Sequence, residues 1–194
     1  KLGIGGLRRR VDEARARPEA ATSEQQTFYD AALIALDAAS TLILRYAELA
    51  DALAADAAPA RRTELVEIAR VCRWLAENPA RDFREALQAT WFLFVLLQIE
   101  SNASSFSPGR LDQYLLPYLA ADIASGRLTL AEAQTWLEHL WLKFNEIVLL
   151  RSKSSARYFA GFPIGFNIVL GGQLADGRDA TNVLSYMCLR AQAD

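Results

Sequence analysis

The chain is poor in the residues that most often betray a function: 194 residues contain one histidine, one methionine and two cysteines. The lone His139 has no second His or Cys at ligand spacing, which excludes a histidine-based metal centre, and beside Glu138 it reads as a surface side chain. Cys72 and Cys188 lie far apart in helical patterns, each on an apolar face. That excludes a disulfide scaffold and points to core thiols in a reducing, cytoplasmic compartment. Neither charge is in excess: 21 Lys and Arg stand against 23 Asp and Glu, a net charge of -2. A basic field for nucleic acid or an anionic membrane is therefore lacking. The cluster Arg8-Arg9-Arg10 is followed at helical spacing by Asp12 and Glu13, the pattern of a solvated helix face. No uninterrupted apolar run approaches the roughly 20 residues of a membrane helix, since Gln98 and Glu100, or Glu138, Lys143 and Glu146, cut the longest candidates. A signal peptide, internal repeats and low-complexity tracts are all missing. So are a Ser-His-Asp set, paired cysteines and a nucleotide-binding loop. Gly3, Gly5 and Gly6 lack phosphate-loop spacing and are expected to form a turn ahead of a short helix that Pro18 ends.

What is present is the composition of an ordered globular chain, 52% hydrophobic and 23% charged, enough for one sizeable core. It opens on Lys1 and stops at Asp194 inside an unfinished helical pattern, and an internal fragment of a larger protein is expected. Ser23-Glu-Gln-Gln26 has capping-box spacing. Beyond it Phe28, Ala32, Ala35, Ala39, Leu42, Tyr46, Leu49 and Leu53 recur at steps of four and three, predicting one helix to about Ala57 with these residues as its packing seam. Such a helix, on the order of 50 Å long at ~1.5 Å per residue, needs a large body or a coiled-coil partner to lie against. Pro59 enters a second helix with Leu65, Ile68, Ala69, Cys72, Leu75 and Ala76 on one face, stopped by Asn78-Pro79. Asp82 and Glu85 cap a third, which runs into an apolar stretch over 91–99 that periodicity cannot divide between helix and strand. A helix over 111–124, interrupted by Pro117 and ended by Gly126, precedes another capped by Thr129 and Glu132. The final section alternates: a β-like run over 167–170, a turn at Asp176-Gly177, then a helix capped by Asp179 or Thr181. That order is a βα unit of an α/β fold.

The candidate site is the break between 98 and 114, where an apolar run gives way to Ser104, Ser105, Phe106 and Ser107, a Pro-Gly turn, then Arg110, Asp112, Gln113 and Tyr114. A core opening on a cavity has this form. Ser104 and Ser105 can hydrogen-bond a small polar substrate, with Phe159, Phe162 and Phe166 around Pro163 as an apolar wall that excludes water. The same serines equally suit a turn and the same phenylalanines a core. Arg110 and Asp112, at i and i+2, do not face each other on a helix, so each is expected to meet a distant partner. Glu100 is expected to be paired if buried.

Several blocks carry a family resemblance: Phe83-Arg-Glu-Ala-Leu-Gln88, Ile99-Glu-Ser-Asn102, Ser107-Pro-Gly-Arg-Leu-Asp-Gln-Tyr114 with Pro117-Tyr118, Leu140-Trp-Leu-Lys-Phe-Asn-Glu146, Phe159-Ala-Gly-Phe-Pro163, Gly177-Arg-Asp-Ala-Thr-Asn182 and Leu184-Ser-Tyr-Met187. In this order they resemble the glycyl radical enzymes, in the pyruvate formate-lyase-like branch of glycerol and propanediol dehydratases, choline lyase and related lyases. The resemblance implies a ten-stranded α/β barrel of two half-sheets wrapped by helices, with residues 1–90 supplying mainly outer helices and 91–194 the first barrel strands and helices. It further implies a backbone glycyl radical passed to a barrel cysteine, installed by a radical S-adenosylmethionine activating enzyme with an iron-sulfur cluster, and a homodimeric full-length enzyme.

The departures are as informative. The family's cysteine lies in a Gly-Cys-x-Glu context that neither Cys72 nor Cys188 has, and the C-terminal glycine motif is missing. No catalytic residue and no bound cofactor is therefore expected within this segment, which is expected to be inactive alone. Where the dehydratases carry a His-Ser pair on substrate hydroxyls, this chain has Ser104-Ser105, and Phe162 stands where relatives can carry tyrosine. Both changes allow a different or bulkier substrate. The expected function is radical carbon-heteroatom or carbon-carbon bond cleavage with Ser104, Ser105 and Phe162 contacting substrate. A pyruvate formate-lyase-type acyltransferase and a non-catalytic helical interaction module are the alternatives.

Overall fold

A computed structural model describes residues 2–17, 22–101, 106–147, 152–159 and 167–193. The chain divides into two compact units, 1–80 and 81–194.

The first unit is three helices: α1 (Gly3–Arg15), α2 (Ser23–Ala55) and α3 (Pro59–Leu75). The expected glycine turn is instead the first turn of α1. Gly3 begins it at φ +66°, and a Cβ there would lie 2.4 Å from the Asn78 carbonyl carbon; a Cβ on Gly5 would lie 2.8 Å from the Glu77 oxygen. Glycine is used because backbone packs on backbone. Glu77 holds the approach: its carbonyl accepts from the Gly5 N–H at 2.8 Å, and its carboxylate accepts from Arg8 at 2.7 Å and Ser40 at 3.0 Å.

The cap of α2 is one residue earlier than its spacing suggested. Thr22 accepts from the Gln25 N–H, and the Gln25 side chain reaches back to the Thr22 N–H. At the other end, Arg62 donates to the carbonyls of Ala54, Ala55 and Ala57, satisfying acceptors that a helix C-terminus leaves open. The packing seam is also displaced. Ser40, Ile43, Ala47, Ala50 and Ala54 are the buried positions, whereas Phe28, Tyr46, Leu49 and Leu53 are exposed. The apolar arc of α2 is wide, and α3 packs on its alanines, which permit close approach, with Leu65, Ala69, Cys72 and Leu75. By length and composition α2 could cross a membrane: it has 33 residues and an 18-residue window of mean hydropathy 1.4. Asp37, Arg45 and Glu48 interrupt its apolar residues, so it contains no unbroken apolar run of membrane-helix length, and its many alanines raise the mean without forming a run of large side chains.

The second unit holds α4 (Phe83–Ser101), α5 (Leu111–Ala124), α6 (Leu130–Asn145), α7 (Lys153–Phe159) and α8 (Val183–Ala193). The ambiguous 91–99 stretch is helical throughout, and Glu100 at its end is exposed rather than buried. Three side chains fix the α4 N-terminus. Asp82 accepts from the Glu85 N–H, buried Glu85 from the Arg81 N–H, and Asp122 of α5 from the Phe83 N–H, each at 2.8 Å. The two buried carboxylates have cations, Arg81 on Glu85 and Arg127 on Asp122. α5 runs through Pro117 without a break, and Gly126 follows its C-cap at φ +70°. α6 carries the expected Thr129–Glu132 box. It packs on α4 through Trp91, Phe94 and Phe144, with Phe94 and Phe144 edge to face at 5.0 Å. His139 is exposed.

Among the described residues the α/β expectation is met only by two single bridges, Gly109 with Ile168 in parallel and Gln173 with Asp179 in antiparallel sense. A parallel strand is stable between two neighbours, and 167–170 has one pairing partner here.

Removing the Asp122 carboxylate takes an N-terminal partner from α4 and the acceptor from Arg127. Asp122→Ala is expected to lower the unfolding free energy by about 2 kcal/mol, read as a lower midpoint in chemical denaturation.

Candidate functional site

Arg110 is the residue before α5, and Asp112 is the second residue of that helix. Both reach across to the segment before α8, as their i, i+2 spacing required. Arg110 donates from Nη2 to the Gly171 carbonyl at 2.7 Å and from Nη1 to the Gln173 carbonyl at 3.2 Å. Asp112 accepts on Oδ2 from the Gly171 N–H at 2.7 Å and from the Ser185 hydroxyl at 2.5 Å. Gly171 is thus held at both its N–H and its C=O by residues two apart in sequence. It must be glycine: φ is +62°, and a Cβ would lie 2.8 Å from Thr181 Oγ1.

Around this clamp the contacts are continuous. Gly109 accepts from the Val169 N–H at 3.0 Å, Ser107 donates to the Asn167 carbonyl, and Gln113 donates to the Ala180 carbonyl at 2.8 Å. Segment 172–180 turns back on itself through Ala180 N–H to Gly172 carbonyl and Leu174 N–H to Arg178 carbonyl bonds, both 2.9 Å. The cap of α8 is Asn182, rather than Asp179 or Thr181: its Oδ1 accepts from the Leu184 N–H, and Ser185 Oγ accepts from the Asn182 N–H. Asp179 instead accepts from the Thr181 N–H within the preceding turn. Ser185 therefore closes the α8 cap and donates to Asp112 with the same hydroxyl.

Asp112 is fully buried, and its second oxygen, Oδ1, has no hydrogen-bond partner among the described residues. Its charge also acts on Cys188 of α8: burial chiefly, and Asp112 secondarily, push that thiol up to about 12. Burial pushes Cys72 up to about 11 against the opposing charge of Arg73. Neither is an activated nucleophile. Tyr114, beside Thr90, is likewise raised to about 12 by burial. No group of three or more His, Cys, Asp or Glu among the described residues could hold a metal ion.

Of the residues singled out from sequence, Ser104, Ser105 and Phe162, with Pro163 and Phe166, lie outside the described residues. Phe106 is half-buried and Ser107 is exposed beside Asn167. Arg110, Asp112 and Gln113 are brought together with 171–185. Sequence reasoning missed Gly171, Asn182 and Ser185 as their partners. The Asn182-x-x-Ser185 spacing is a cap signal, but nothing in it shows that the serine also meets a carboxylate 73 residues away.

The whole chain, residues 1–194, matches the family model described as pyruvate formate lyase-like. It is 40% identical over 197 residues to the probable dehydratase YbiW of Escherichia coli, covering 97% of this chain and 24% of that protein. With the isethionate sulfite-lyase of Nitratidesulfovibrio vulgaris it shares 38% identity over 174 residues, 88% of this chain and 21% of the relative. Its fold superposes on the glycerol-bound, B12-independent glycerol dehydratase of Clostridium butyricum with a TM-score of 0.92 at 34% identity, over 100% of this chain and 25% of that one. A family match over the full length, joined to these identities, places the chain in the pyruvate formate-lyase-like family of glycyl radical enzymes. It spans about a quarter of the length of the relatives it matches.

Burial of both thiols has a direct consequence. In the folded protein, peptides containing Cys72 and Cys188 are expected to resist iodoacetamide at about pH 9, where an ordinary thiol is about three quarters ionised, and to react fully in urea. Peptide mapping checks this; rapid native alkylation of either site would contradict it.

Proposed function

We infer that this chain is an internal part of a cytoplasmic glycyl radical enzyme of the dehydratase and lyase branch, cleaving a carbon-heteroatom or carbon-carbon bond of a small substrate. The observation that carries the reading is the joint behaviour of the matched blocks. Ser107–Tyr114 and Gly177–Met187, separated by more than sixty residues, build one clamp around Gly171. On this reading residues 1–90 are mainly outer helices and 91–194 the opening of a ten-stranded barrel, within a single barrel domain. The exposed apolar stripe of α2 fits a helix that lies against the remainder of a longer chain.

Ser104, Ser105 and Phe162 contact substrate in this reading. The support is the parallel pairing of Gly109 with Ile168. Ser104 and Ser105 precede Gly109 by a few residues in sequence, and Phe162 precedes Ile168 in the same way. Serine hydroxyls would hold a polar group while the phenylalanine, lacking a phenol, shapes the apolar side. The carbon-centred chemistry belongs to the glycyl radical and the barrel cysteine elsewhere in the chain. A radical S-adenosylmethionine activating enzyme installs the radical, and the full-length enzyme is a homodimer, with neither nucleic acid nor membrane as a partner.

The test uses the full-length protein activated anaerobically and offered isethionate, glycerol, 1,2-propanediol, choline and pyruvate in turn. A glycyl radical signal in electron paramagnetic resonance and consumption of one of the first four is the expected result. Absence of the radical, or turnover of pyruvate alone, would overturn the branch assignment. Ser105→Ala is expected to lower kcat/KM on the substrate consumed by about tenfold or more, with the radical content unchanged; full activity would remove Ser105 from the pocket.

A further inference from the structure

Helix α1 is held in the first unit by charge and backbone, with almost no core of its own. Of its residues only Gly5 and Gly6 are buried, and Leu7 is exposed. In the half-buried row Ile4, Arg8 and Val11, at steps of four and three, an arginine stands between the two apolar residues. Arg8 lies 2.8 Å from Asp37 of α2 and 2.7 Å from Glu77. Arg15, seven residues on, lies 3.0 Å from Asp30 and donates to Gln26 at 3.1 Å. Asp30 precedes Asp37 by the same seven residues. Helix α1 therefore runs antiparallel to α2, with an ion pair at every second turn.

Helix α3 lies on α2 in another way. It buries Leu65, Ala69, Val71, Cys72 and Leu75, and its ion pair, Arg73 with Asp51, adds to an apolar contact rather than replacing one. Salt does not weaken apolar packing, whereas it screens ion pairs between exposed side chains. The α1 pairs are of the exposed kind: the side chains of Asp37, Asp30 and Arg15 are 65%, 54% and 41% exposed. A helix of 13 residues is marginal alone in water. The contacts that dock α1 therefore also keep it helical.

We propose that α1 is a strap that opens from α2 as one unit while α2 and α3 stay packed, and that ionic strength sets how often it opens. Opening withdraws the Arg8 guanidinium and the Gly5 N–H from Glu77, of whose partners the Ser40 hydroxyl stays. It also bares the backbone of Asn78 and Pro79, against which Gly3 is seated too closely for a Cβ. Local openings of this kind are drawn from elements with few buried apolar contacts, and α1 has the fewest of the three helices in its unit. The strap lies wholly in the first unit and does not depend on the enzyme reading.

The experiment is amide hydrogen exchange of the full-length protein, read by mass spectrometry at about 0.01 M and about 1 M sodium chloride, where charges are screened beyond about 30 Å and about 3 Å. Peptides over 3–15 are expected to exchange about tenfold faster at high salt, with those over 43–54 and 65–75 unchanged. At low salt, Asp30→Arg is expected to speed exchange over 3–15 by about tenfold, because it sets a cation against Arg15. Joining Arg15→Asp to Asp30→Arg restores the pair with its charges exchanged and is expected to recover most of the protection. Exchange over 3–15 that does not respond to salt overturns the proposal. So does a rise shared equally by 3–15, 43–54 and 65–75, which is the whole unit opening, and so does a double variant no better protected than Asp30→Arg. Should the variants fail to fold, the salt series on the unmodified protein decides.

Discussion

The second unit depends on one constraint: the peptide of Gly171 must be held at both ends by residues at the entrance to α5. A buried N–H or C=O left without a partner would cost about 1–3 kcal/mol, and here the partners come from Arg110 and Asp112. Helix α5 offers both only because its first turn is preceded by the Gly109 turn, with φ at +70°. Gly171 can be gripped only because a glycine's bare backbone fits against Thr181. From that fixed point follow the parallel bridge of Gly109 with Ile168, the fold-back of 172–180 and the shared cap of α8. The first unit uses the same device in Gly5 and Glu77, where a helix backbone rests on a carbonyl.

The helices were legible from sequence because apolar spacing and capping chemistry are local. Thr129 and Glu132 cap α6 as their spacing requires, and Asp82 with Glu85 starts α4. Where local signals compete, the reading slipped. Thr22, not Ser23, caps α2, and the two hydroxyl residues are adjacent in sequence. The seam of α2 was assigned to the row from Phe28 through Ala39 to Leu53, but the buried row is Ser40, Ile43, Ala47, Ala50 and Ala54, since small residues let helices close. Gly3 and Gly5 looked like a turn because nothing within the segment announces the backbone at 77–79 that they meet.

The candidate site was legible in half. Arg110 and Asp112 stood out as charges that could not satisfy each other, and each does find a distant partner. Those partners, Gly171 and Ser185, were not legible, because contacts across about 60 to 70 residues leave no local pattern. The family blocks carried that information indirectly: they mark as related the residues that meet in space, without saying how. The chain spans about a quarter of its relatives' length.

The grip on Gly171 can be measured without any substrate. Amide hydrogen exchange in the full-length protein, resolved to the Gly171 N–H, reports whether that donor is held by Asp112 in the buried interior. Exchange as slow as that of the α5 core amides, and markedly faster in Asp112→Ala, is the expected result. Fast exchange at Gly171 in the unmodified protein would contradict the constraint on which the rest is built.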